Sequence, residues 1–268
     1  MTIFEAVVLG AIQGLAEFLP ISSSAHLALA PWLFGWEAPG LAFDVSLHVG
    51  TLAAVLWYFR RDWTELVRAG LSIVRHRRVS TAAEKRVIFL AIATVPAGVA
   101  GLLLESYAET IFRAPVVTGV ALIVLGLLLW LADRTAPDHR SLDDMRWTDA
   151  LLVGFAQALA LVPGVSRSGA TITAARALSL DRQSAAVFSF LMSMPIIAAA
   201  AALKVPEAIA ETGVTAALAA GVVSSAVSGW VAITVLLRYV SRNDYAAFAI
   251  YRLLLGGFVL WLVFNRGF

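Results

Sequence analysis

Two short polar stretches, each with side chains that bind phosphate or metal ions, interrupt a sequence that is 60% apolar. Their polar residues are Gln13, Glu17, Ser22, Ser23, Ser24 and His26 in the first stretch, and Ser166, Arg167, Ser168 and Thr171 in the second. Gln13 and Glu17 are four residues apart, so they share one face of a helix. A carboxylate with an amide oxygen suits a hard cation such as Mg²⁺ or Ca²⁺, whose other ligands are water and substrate phosphate. The first stretch therefore predicts a divalent-cation site with Glu17 and Gln13 as ligands.

Each stretch also contains a chain break of the kind that begins a helix. Pro20 precedes Ser22 in the first break and Gly164 precedes Ser166 in the second, and we predict that both serines are helix N-caps. The backbone N–H groups at such a helix start bind anions, and Arg167 adds a planar guanidinium suited to phosphate oxygens. Two facing helix starts, one arginine and a cation would form a pocket for a highly negative group such as a diphosphate.

His26 is the residue best suited to move a proton in the first stretch. It lies one helical turn after Ser22 and Ser23, where it could act as general base for a serine hydroxyl or attack phosphorus through a ring nitrogen. Structural roles are the alternatives. The serines could serve only as helix caps, Gln13 as a hydrogen bonder between helices, and His26 as a buried histidine.

Further ionisable residues need partners if they lie within a membrane. Glu17 and Arg167 could pair as a structural bridge between the two breaks. Asp44 and His48 are one turn apart and face the same region if their helix packs beside the first stretch. Arg252 lies inside the last apolar segment, and its partner is a carboxylate, a set of backbone carbonyls or a ligand.

The composition requires lipid as the solvent of this chain. Only 14% of the residues are charged, against about 25% in ordinary soluble domains, and the mean hydropathy is +0.84. The net charge of +2 is small, so we expect no nucleic-acid partner. The absence of cysteine excludes a disulfide framework, a thiol nucleophile and a zinc-thiolate site.

Six apolar segments are long enough to span a bilayer with a ~30 Å hydrocarbon core. They cover residues 43–59, 87–104, 115–132, 184–203, 216–238 and 246–264. A basic loop from Arg60 to Arg86 joins the first two segments. The positive-inside rule places this loop in the cytoplasm, and alternation of the spans then places both termini outside.

Residues 1–40 and 149–180 are apolar as well, but each is interrupted at mid-length by its polar stretch. Neither half of such a segment is long enough to cross easily on its own. We predict that each segment is a re-entrant helix–break–helix hairpin, because bare backbone at that depth is tolerated where protein or water surrounds it. The alternative is a pair of short helices lying at the membrane interface.

The two halves of the chain share residues at constant spacing. Gly10 and Gln13 recur as Gly154 and Gln157 at one offset, and Gly98 recurs as Gly229 at another. We predict an all-α polytopic membrane protein with an inverted-topology repeat, in which each half is one re-entrant hairpin and three transmembrane helices. The single domain is residues 1–268, with repeat one at 1–135 (re-entrant 1–40) and repeat two at 149–268 (re-entrant 149–180). The hairpins would enter from opposite sides and meet near the centre.

At these residues the sequence resembles the undecaprenyl-diphosphate phosphatase family of the bacitracin-resistance type. The segment QGLAEFLPISSSAH, from Gln13 to His26, is similar to the family signature (E/Q)GxxEFLPxSSxxH. The segment PGVSRSGAT, from Pro163 to Thr171, matches the second signature, PGxSRSGxT. The likeness covers nearly the whole chain. Gln13 stands where the family often has Glu, which removes one negative charge from the expected metal site.

The resemblance implies a hydrolase of the bacterial inner membrane. Its reaction would convert undecaprenyl diphosphate to undecaprenyl phosphate and phosphate, which recycles the lipid carrier for peptidoglycan and cell-wall synthesis and confers resistance to bacitracin. It further implies dependence on a divalent cation and a site open to the extracytoplasmic side. The attacking group is Ser23 or His26.

Residue roles follow from the match of each position to the signatures. The expected catalytic residues are Glu17, Ser23, His26 and Arg167. The expected substrate-binding residues are Gln13, Ser22, Ser24, Ser166, Ser168 and Thr171, and the expected metal ligands are Glu17 and Gln13.

A translocator that moves polyprenyl phosphate across the membrane is the alternative function. The inverted repeat favours translocation, whereas a histidine beside serines and a phosphate clamp favours hydrolysis. An ion or amino-acid transporter fits the repeat but not the paired phosphate-type breaks. The expected partners are the polyprenyl diphosphate lipid and the bilayer, and a homodimer is one assembly that the sequence allows.

Overall fold

The computed structural model describes residues 1–37, 39–109 and 114–266, and in this part of the chain the regular structure is helical. The helices are α1 Ile3–Phe18, α2 Ser23–Phe34, α3 Leu41–Tyr58, α4 Arg60–His76, α5 Ala82–Glu109, α6 Pro115–Thr135, α7 Trp147–Ala158, α8 Arg167–Ala177, α9 Arg182–Thr212, α10 Ala216–Val240 and α11 Ala246–Arg266. The prediction of an all-α protein is confirmed.

Within the described residues, five helices are long and apolar enough to cross a membrane: α5, α6, α9, α10 and α11. The chain is therefore a multi-pass membrane protein. The predicted first span, residues 43–59, corresponds to α3, an apolar helix of 18 residues whose apolar stretch Phe43–Tyr58 is shorter than the five others. That sixth crossing stays a prediction.

The prediction of a basic loop after the first span is wrong over Arg60–His76, which forms helix α4. Leu66 and Ala69 on one face of α4 are buried, while Val67 and Leu71 are exposed. Arginines occupy much of the remaining surface of this helix, and this charge density concealed the three-to-four spacing of its apolar residues.

Both predicted hairpins have the helix–break–helix form. The first is α1 and α2, and the second is α7 and α8, with a short 3-10 turn at Leu159–Leu161 before the second break. These four helices have 16, 12, 12 and 11 residues. At about 1.5 Å per residue, each is shorter than the ~30 Å core, so none can span it alone.

The two breaks share an unusual backbone conformation at equivalent positions. Ser22 has φ 76° and Ser166 has φ 68°, and they are two of the four non-glycine residues with positive φ in the described chain. A residue with a side chain is strained in this region of backbone space and persists there only when its surroundings hold it. Such strain is common at functional sites.

The helices pack in pairs that correspond between the two halves. Helix α1 packs on α10 as α7 packs on α5, and two helices pack on their own equivalents in the other half, α3 on α9 and α6 on α11. Close approach depends on glycine in both of the first two pairs. A Cβ on Gly10 would lie 2.2 Å from the Gly221 carbonyl oxygen, and one on Gly154 would lie 2.6 Å from that of Ala93.

Arg176, a polar residue of the second hairpin, is fully buried away from the breaks. Its Nε atom donates to Asp133 Oδ1 at 2.7 Å, and its Nη1 atom donates to Asp138 Oδ1 at 3.0 Å and to the Leu180 carbonyl. Arg182 joins the same two aspartates. This network fixes the end of α6 to the turn between α8 and α9, so Arg176 has a structural role.

Candidate active site

The tips of the two hairpins are in direct contact. Arg167, the first residue of α8, donates through Nη2 to Glu17 Oε1 at 2.7 Å. One residue further on, the Ser168 hydroxyl donates to the Leu19 carbonyl at 3.2 Å. The expected approach of the two breaks is therefore present in the structure, and it includes the anticipated pairing of Glu17 with Arg167.

Arg252 on α11 binds both breaks through their backbone. Its fully buried guanidinium donates to the carbonyls of Pro20 at 3.2 Å, Gly164 at 2.9 Å and Val165 at 2.9 Å. The sequence allowed a carboxylate, a set of backbone carbonyls or a ligand as the partner of Arg252, and in the structure the partners are backbone carbonyls. A buried charge held in this way fixes the position of one tip relative to the other.

Glu17 is the centre of the polar cluster and is only 6% exposed. Its Oε2 atom accepts from Gln13 Nε2 at 3.1 Å and from the Ser23 hydroxyl at 2.6 Å, and it lies 3.7 Å from His48 Nε2. Its Oε1 atom accepts from Arg167. The prediction that Gln13 and Glu17 share a face is confirmed, and the carboxylate joins a hydroxyl of one hairpin to a guanidinium of the other.

His48 lies in this region because α3 packs beside the first hairpin, as expected. Its Nδ1 atom is 2.8 Å from the backbone carbonyl of Asp44. Because a carbonyl oxygen only accepts, Nδ1 carries the proton and directs Nε2 towards Glu17. Asp44 thus orients His48 through its main chain.

Arg167 retains unused hydrogen-bonding capacity. Its Nη2 atom binds Glu17, but Nε and Nη1 are buried and have no partner among the described residues. Buried charged donors that lack acceptors are costly, so an acceptor from outside the protein is expected. The planar arrangement of these nitrogens suits the oxygens of a phosphate.

The serines of the first break differ in their roles. Ser22 has the N-cap position of α2, as predicted, but its side chain makes no cap bond. Its hydroxyl is instead 3.1 Å from that of Ser24, which accepts from the Gly164 N–H at 3.4 Å. Ser23 and Ser24 line a cavity, and the Ser23 hydroxyl is bound by Glu17 as described above.

The second break contains a true helix cap. Ser166 accepts from the Gly169 N–H at 3.1 Å, which confirms the predicted N-cap, and it lines the same cavity. Ser168 is 1% exposed and binds the opposite tip. Thr171 is fully buried, and its hydroxyl is 2.6 Å from that of Ser189 on α9. The structure places Thr171 in helix packing rather than in the cavity wall.

His26 is not brought to the Ser23 hydroxyl. Its Nδ1 atom donates to the Ser22 carbonyl at 2.6 Å, and its Nε2 atom is 2.6 Å from the Tyr251 hydroxyl, with the two rings stacked. His26 therefore holds the backbone of the strained residue that precedes Ser23. Sequence reasoning gave no role to Tyr251, because only the packing of α11 against α2 brings it near.

A cavity of about 680 Å³ opens from the polar cluster. Its floor is formed by Glu17, Ser23 and Arg167, together with Gln157 of α7. Its walls are mostly small or aliphatic side chains of α5 and α9, among them Ala97, Gly98, Gly101, Ile196, Ile197 and Ala200. Towards the C-terminal end of α9 the cavity reaches Lys204. The result is a charged floor with apolar walls.

The donor set for a metal ion is sparse. Among the described residues there is no group of three or more His, Cys, Asp or Glu side chains arranged to hold a metal. Gln13 directs Nε2 at Glu17, while its buried Oε1 has no partner in the described chain. Rotation of this amide would present an oxygen beside the carboxylate. The pair therefore fits a cation that takes most of its ligands from water and phosphate.

The chain is similar to known proteins over nearly its whole length. Residues 6–258 match the model of the family described as bacitracin resistance protein BacA. A protein of Gemmatimonas aurantiaca named undecaprenyl-diphosphatase is 57% identical over 96% of both chains. A protein of Pelotomaculum thermopropionicum with the same name is 48% identical over 100% of this chain and 99% of its own. Both polar breaks lie within the residues that match the family model.

Proposed function

The chain belongs to the BacA family of bacitracin resistance proteins, and we propose that it hydrolyses undecaprenyl diphosphate to undecaprenyl phosphate and phosphate. Relatives named undecaprenyl-diphosphatase match it over nearly its full length, which favours hydrolysis over translocation. The observation that carries the proposal is the half-buried Arg167. Two of its nitrogens lack a partner in the described chain, and it lies on a cavity floor beside the Ser23 hydroxyl.

The terminal phosphate binds between the two tips. The unused Nε and Nη1 of Arg167 donate to its oxygens, and the first backbone N–H groups of α2 and α8 face the same anion. Glu17 alone would repel a phosphate. Its pairing with Arg167 removes most of that repulsion while keeping the carboxylate beside the reacting groups.

Ser23 attacks the terminal phosphorus through Oγ. Its proton passes to Glu17 Oε2, which already accepts the hydroxyl hydrogen bond at 2.6 Å. The bond from phosphorus to the bridging oxygen breaks, and undecaprenyl phosphate leaves with the electron pair. Phosphoryl transfer of this type proceeds through a loose transition state, so positioning and charge neutralisation matter more than a strong base. Water then hydrolyses the phosphoserine and releases phosphate.

His26 supports this step by holding the break. Its bond to the Ser22 carbonyl stabilises a backbone conformation that Ser22 would otherwise leave, and this conformation sets the direction of the next side chain. A direct role for His26 as base or nucleophile would require its ring to leave both Ser22 and Tyr251.

A divalent cation, Mg²⁺ or Ca²⁺, would be held by Glu17 and the amide oxygen of Gln13, with diphosphate oxygens and water as its other ligands. When bound, it would neutralise charge on the diphosphate. The buried Gln13 Oε1 atom, which lacks a partner in the described part of the chain, supports this assignment. Glu17 and Gln13 alone are too few ligands for a resident site, so oxygens of the diphosphate would be needed to complete it.

The apolar walls of the cavity suit the first isoprenyl units of the lipid. The cavity lies against the first half of α3 and the second halves of α5 and α9. By the positive-inside rule these parts face the extracytoplasmic side, so we place the opening of the site there, in the bacterial inner membrane. Such a site would receive the diphosphate that cell-wall assembly releases outside.

An inverted-topology repeat accounts for the meeting of the two breaks. The corresponding packing of α1 on α10 and of α7 on α5 supports it, as does the positive φ shared by Ser22 and Ser166. Two hairpins related in this way enter from opposite leaflets and place their helix starts at the same depth.

Phosphate release from undecaprenyl diphosphate by purified protein in detergent tests the proposed function. Wild-type protein should release phosphate, and Arg167→Gln should abolish most of the activity. The matched control is Arg134→Gln, an arginine whose guanidinium lies over the exposed Trp130 ring, and this variant should keep wild-type turnover. Lipid movement across vesicles without phosphate release by the wild type would reject hydrolysis in favour of the translocator.

A further inference from the structure

Gln157 is a polar residue of the second hairpin to which the reaction described so far gives no role. It lies near the end of α7, is 3% exposed, and still lines the cavity. Its Nε2 atom makes only a long bond of 3.4 Å to the Ala93 carbonyl, and its Oε1 atom has no partner in the described chain. A buried amide left in this state is costly, which indicates that the cavity normally holds a group that pairs with it.

The position of Gln157 in the cavity indicates which chemical group binds it. Ser23 and Arg167 on the floor engage the terminal phosphate under the proposed function. Gln157 lies on the same floor at its α5 edge, where its side chain bonds the Ala93 carbonyl, one turn before Ala97 of the apolar wall. A lipid diphosphate with its terminal phosphate at Ser23 and Arg167 and its isoprenyl chain along the apolar wall must place its second phosphate between them, at this edge of the floor.

We propose that Gln157 binds the phosphate that stays on the lipid. An amide suits this task because it both donates and accepts. Its N–H₂ group can bind a phosphate oxygen, and its carbonyl can accept from a bound water or a protonated phosphate oxygen. Gln157 is thus a positioning residue that distinguishes the lipid phosphate from the phosphate that leaves. This assignment rests on the proposed function.

The experiment compares Gln157→Leu with wild type in turnover and in direct binding of polyprenyl monophosphate, followed by tryptophan fluorescence. Loss of a hydrogen bond to a charged group predicts a KM for the diphosphate about ten- to a hundred-fold higher. Binding of the monophosphate should weaken by a similar factor, whereas inhibition by inorganic phosphate should change less than about two-fold. Gln183→Leu, at an exposed glutamine, is the control and should match wild type.

Thermal unfolding separates binding from a structural role. Leucine removes a buried amide that lacks a full set of partners, so Gln157→Leu should not lower Tm. Gln157→Glu, of similar size, should bind the monophosphate more weakly than the leucine variant because it adds a negative charge. Unchanged binding in both variants, or a fall in Tm of several degrees that accompanies the loss of activity, would overturn the assignment. The binding assay remains decisive even if wild-type protein shows no hydrolysis, a result that would reject the proposed function itself.

Discussion

The two breaks have the same backbone scaffold but different chemistry. Each begins with a serine of positive φ, Ser22 or Ser166, followed by the first residue of a helix. In the first break that residue is Ser23, and in the second it is Arg167, and both donate to Glu17. One copy thus supplies a reactive hydroxyl and the other a permanent positive charge at the corresponding position.

This difference shows how a duplicated fold can build a site that neither copy could build alone. A hydroxyl nucleophile can attack only a phosphate that is held close to it. A phosphate bound by a guanidinium reacts only if a nucleophile lies beside it. The contact between the tips places both next to one carboxylate. The predicted effects of mutation should therefore differ between the two breaks, in kind as well as in size.

The largest effect is expected for Ser23→Ala, which removes the attacking atom. We expect kcat to fall by about a thousand-fold or more with little change in KM, since losses of this size follow removal of a nucleophile. Phosphate release under saturating substrate measures it. A fall in kcat of less than ten-fold would mean that another group attacks phosphorus. The first break would then not supply the nucleophile.

A smaller effect is expected for Arg167→Lys in the second break. Lysine can keep the ion pair with Glu17 but cannot present the unused guanidinium nitrogens to phosphate. We expect kcat/KM to fall by about a hundred-fold, with KM and kcat both affected. The control is Arg134→Lys, at an arginine whose guanidinium lies over the exposed Trp130 ring, and this variant should keep wild-type activity. Full activity in Arg167→Lys would show that charge alone suffices at this position.

His26→Ala should weaken the first break without removing a reacting group. It leaves the Ser22 carbonyl without its 2.6 Å donor, so Ser23 loses its fixed direction, and we expect kcat to fall by roughly ten- to a hundred-fold. Tyr251→Phe removes only the contact to Nε2 and should cost less than about five-fold, by the usual value of one hydrogen bond. Equal and severe losses in both variants would indicate that the tyrosine–histidine pair takes part in proton transfer.

The variant Gln13→Glu tests whether residue 13 is a ligand of the divalent cation in the first break. A second carboxylate beside Glu17 adds a charged ligand, and ligand charge strengthens binding of hard cations. We expect the Mg²⁺ concentration for half-maximal activity to fall by about ten-fold, measured in EDTA-treated protein. The exposed Gln183→Glu is the control. An unchanged metal requirement would place the cation away from Gln13.

The smallest expected effect is on stability and compares the two serines of positive φ. Ser166 caps α8 through Gly169, whereas the Ser22 hydroxyl makes no cap bond. Ser166→Ala should therefore lower the free energy of unfolding by about 1 kcal/mol, and Ser22→Ala by less. Denaturant unfolding in detergent measures both. The reverse order would mean that the hydroxyl of Ser22 contributes to holding its break.

The membrane class, the two breaks and their contact could be predicted from the sequence. Polar residues at the middle of apolar segments are costly unless they meet one another, and Glu17 and Arg167 do so. The N-cap at Ser166 was predictable as well, because capping depends on neighbouring residues.

The partners of His26, Arg252 and Thr171 were not predictable. The ring of His26 is fixed by Tyr251, and the guanidinium of Arg252 by carbonyls of both breaks. Thr171 fits the family signature, but its hydroxyl binds Ser189 on another helix. In each case the direction of a side chain depends on how separate helices pack, and the spacing of residues along one helix does not contain this information.

The central claim, attack by Ser23, is tested by a single-turnover experiment with undecaprenyl diphosphate radiolabelled in its terminal phosphate and quenched with SDS at neutral pH, where both phosphoserine and phosphohistidine survive. We expect labelled phosphoserine at Ser23 that forms and decays in wild-type protein and forms more slowly in Arg167→Lys. Label on His26, or release of labelled phosphate with no labelled protein at any time point, would contradict it.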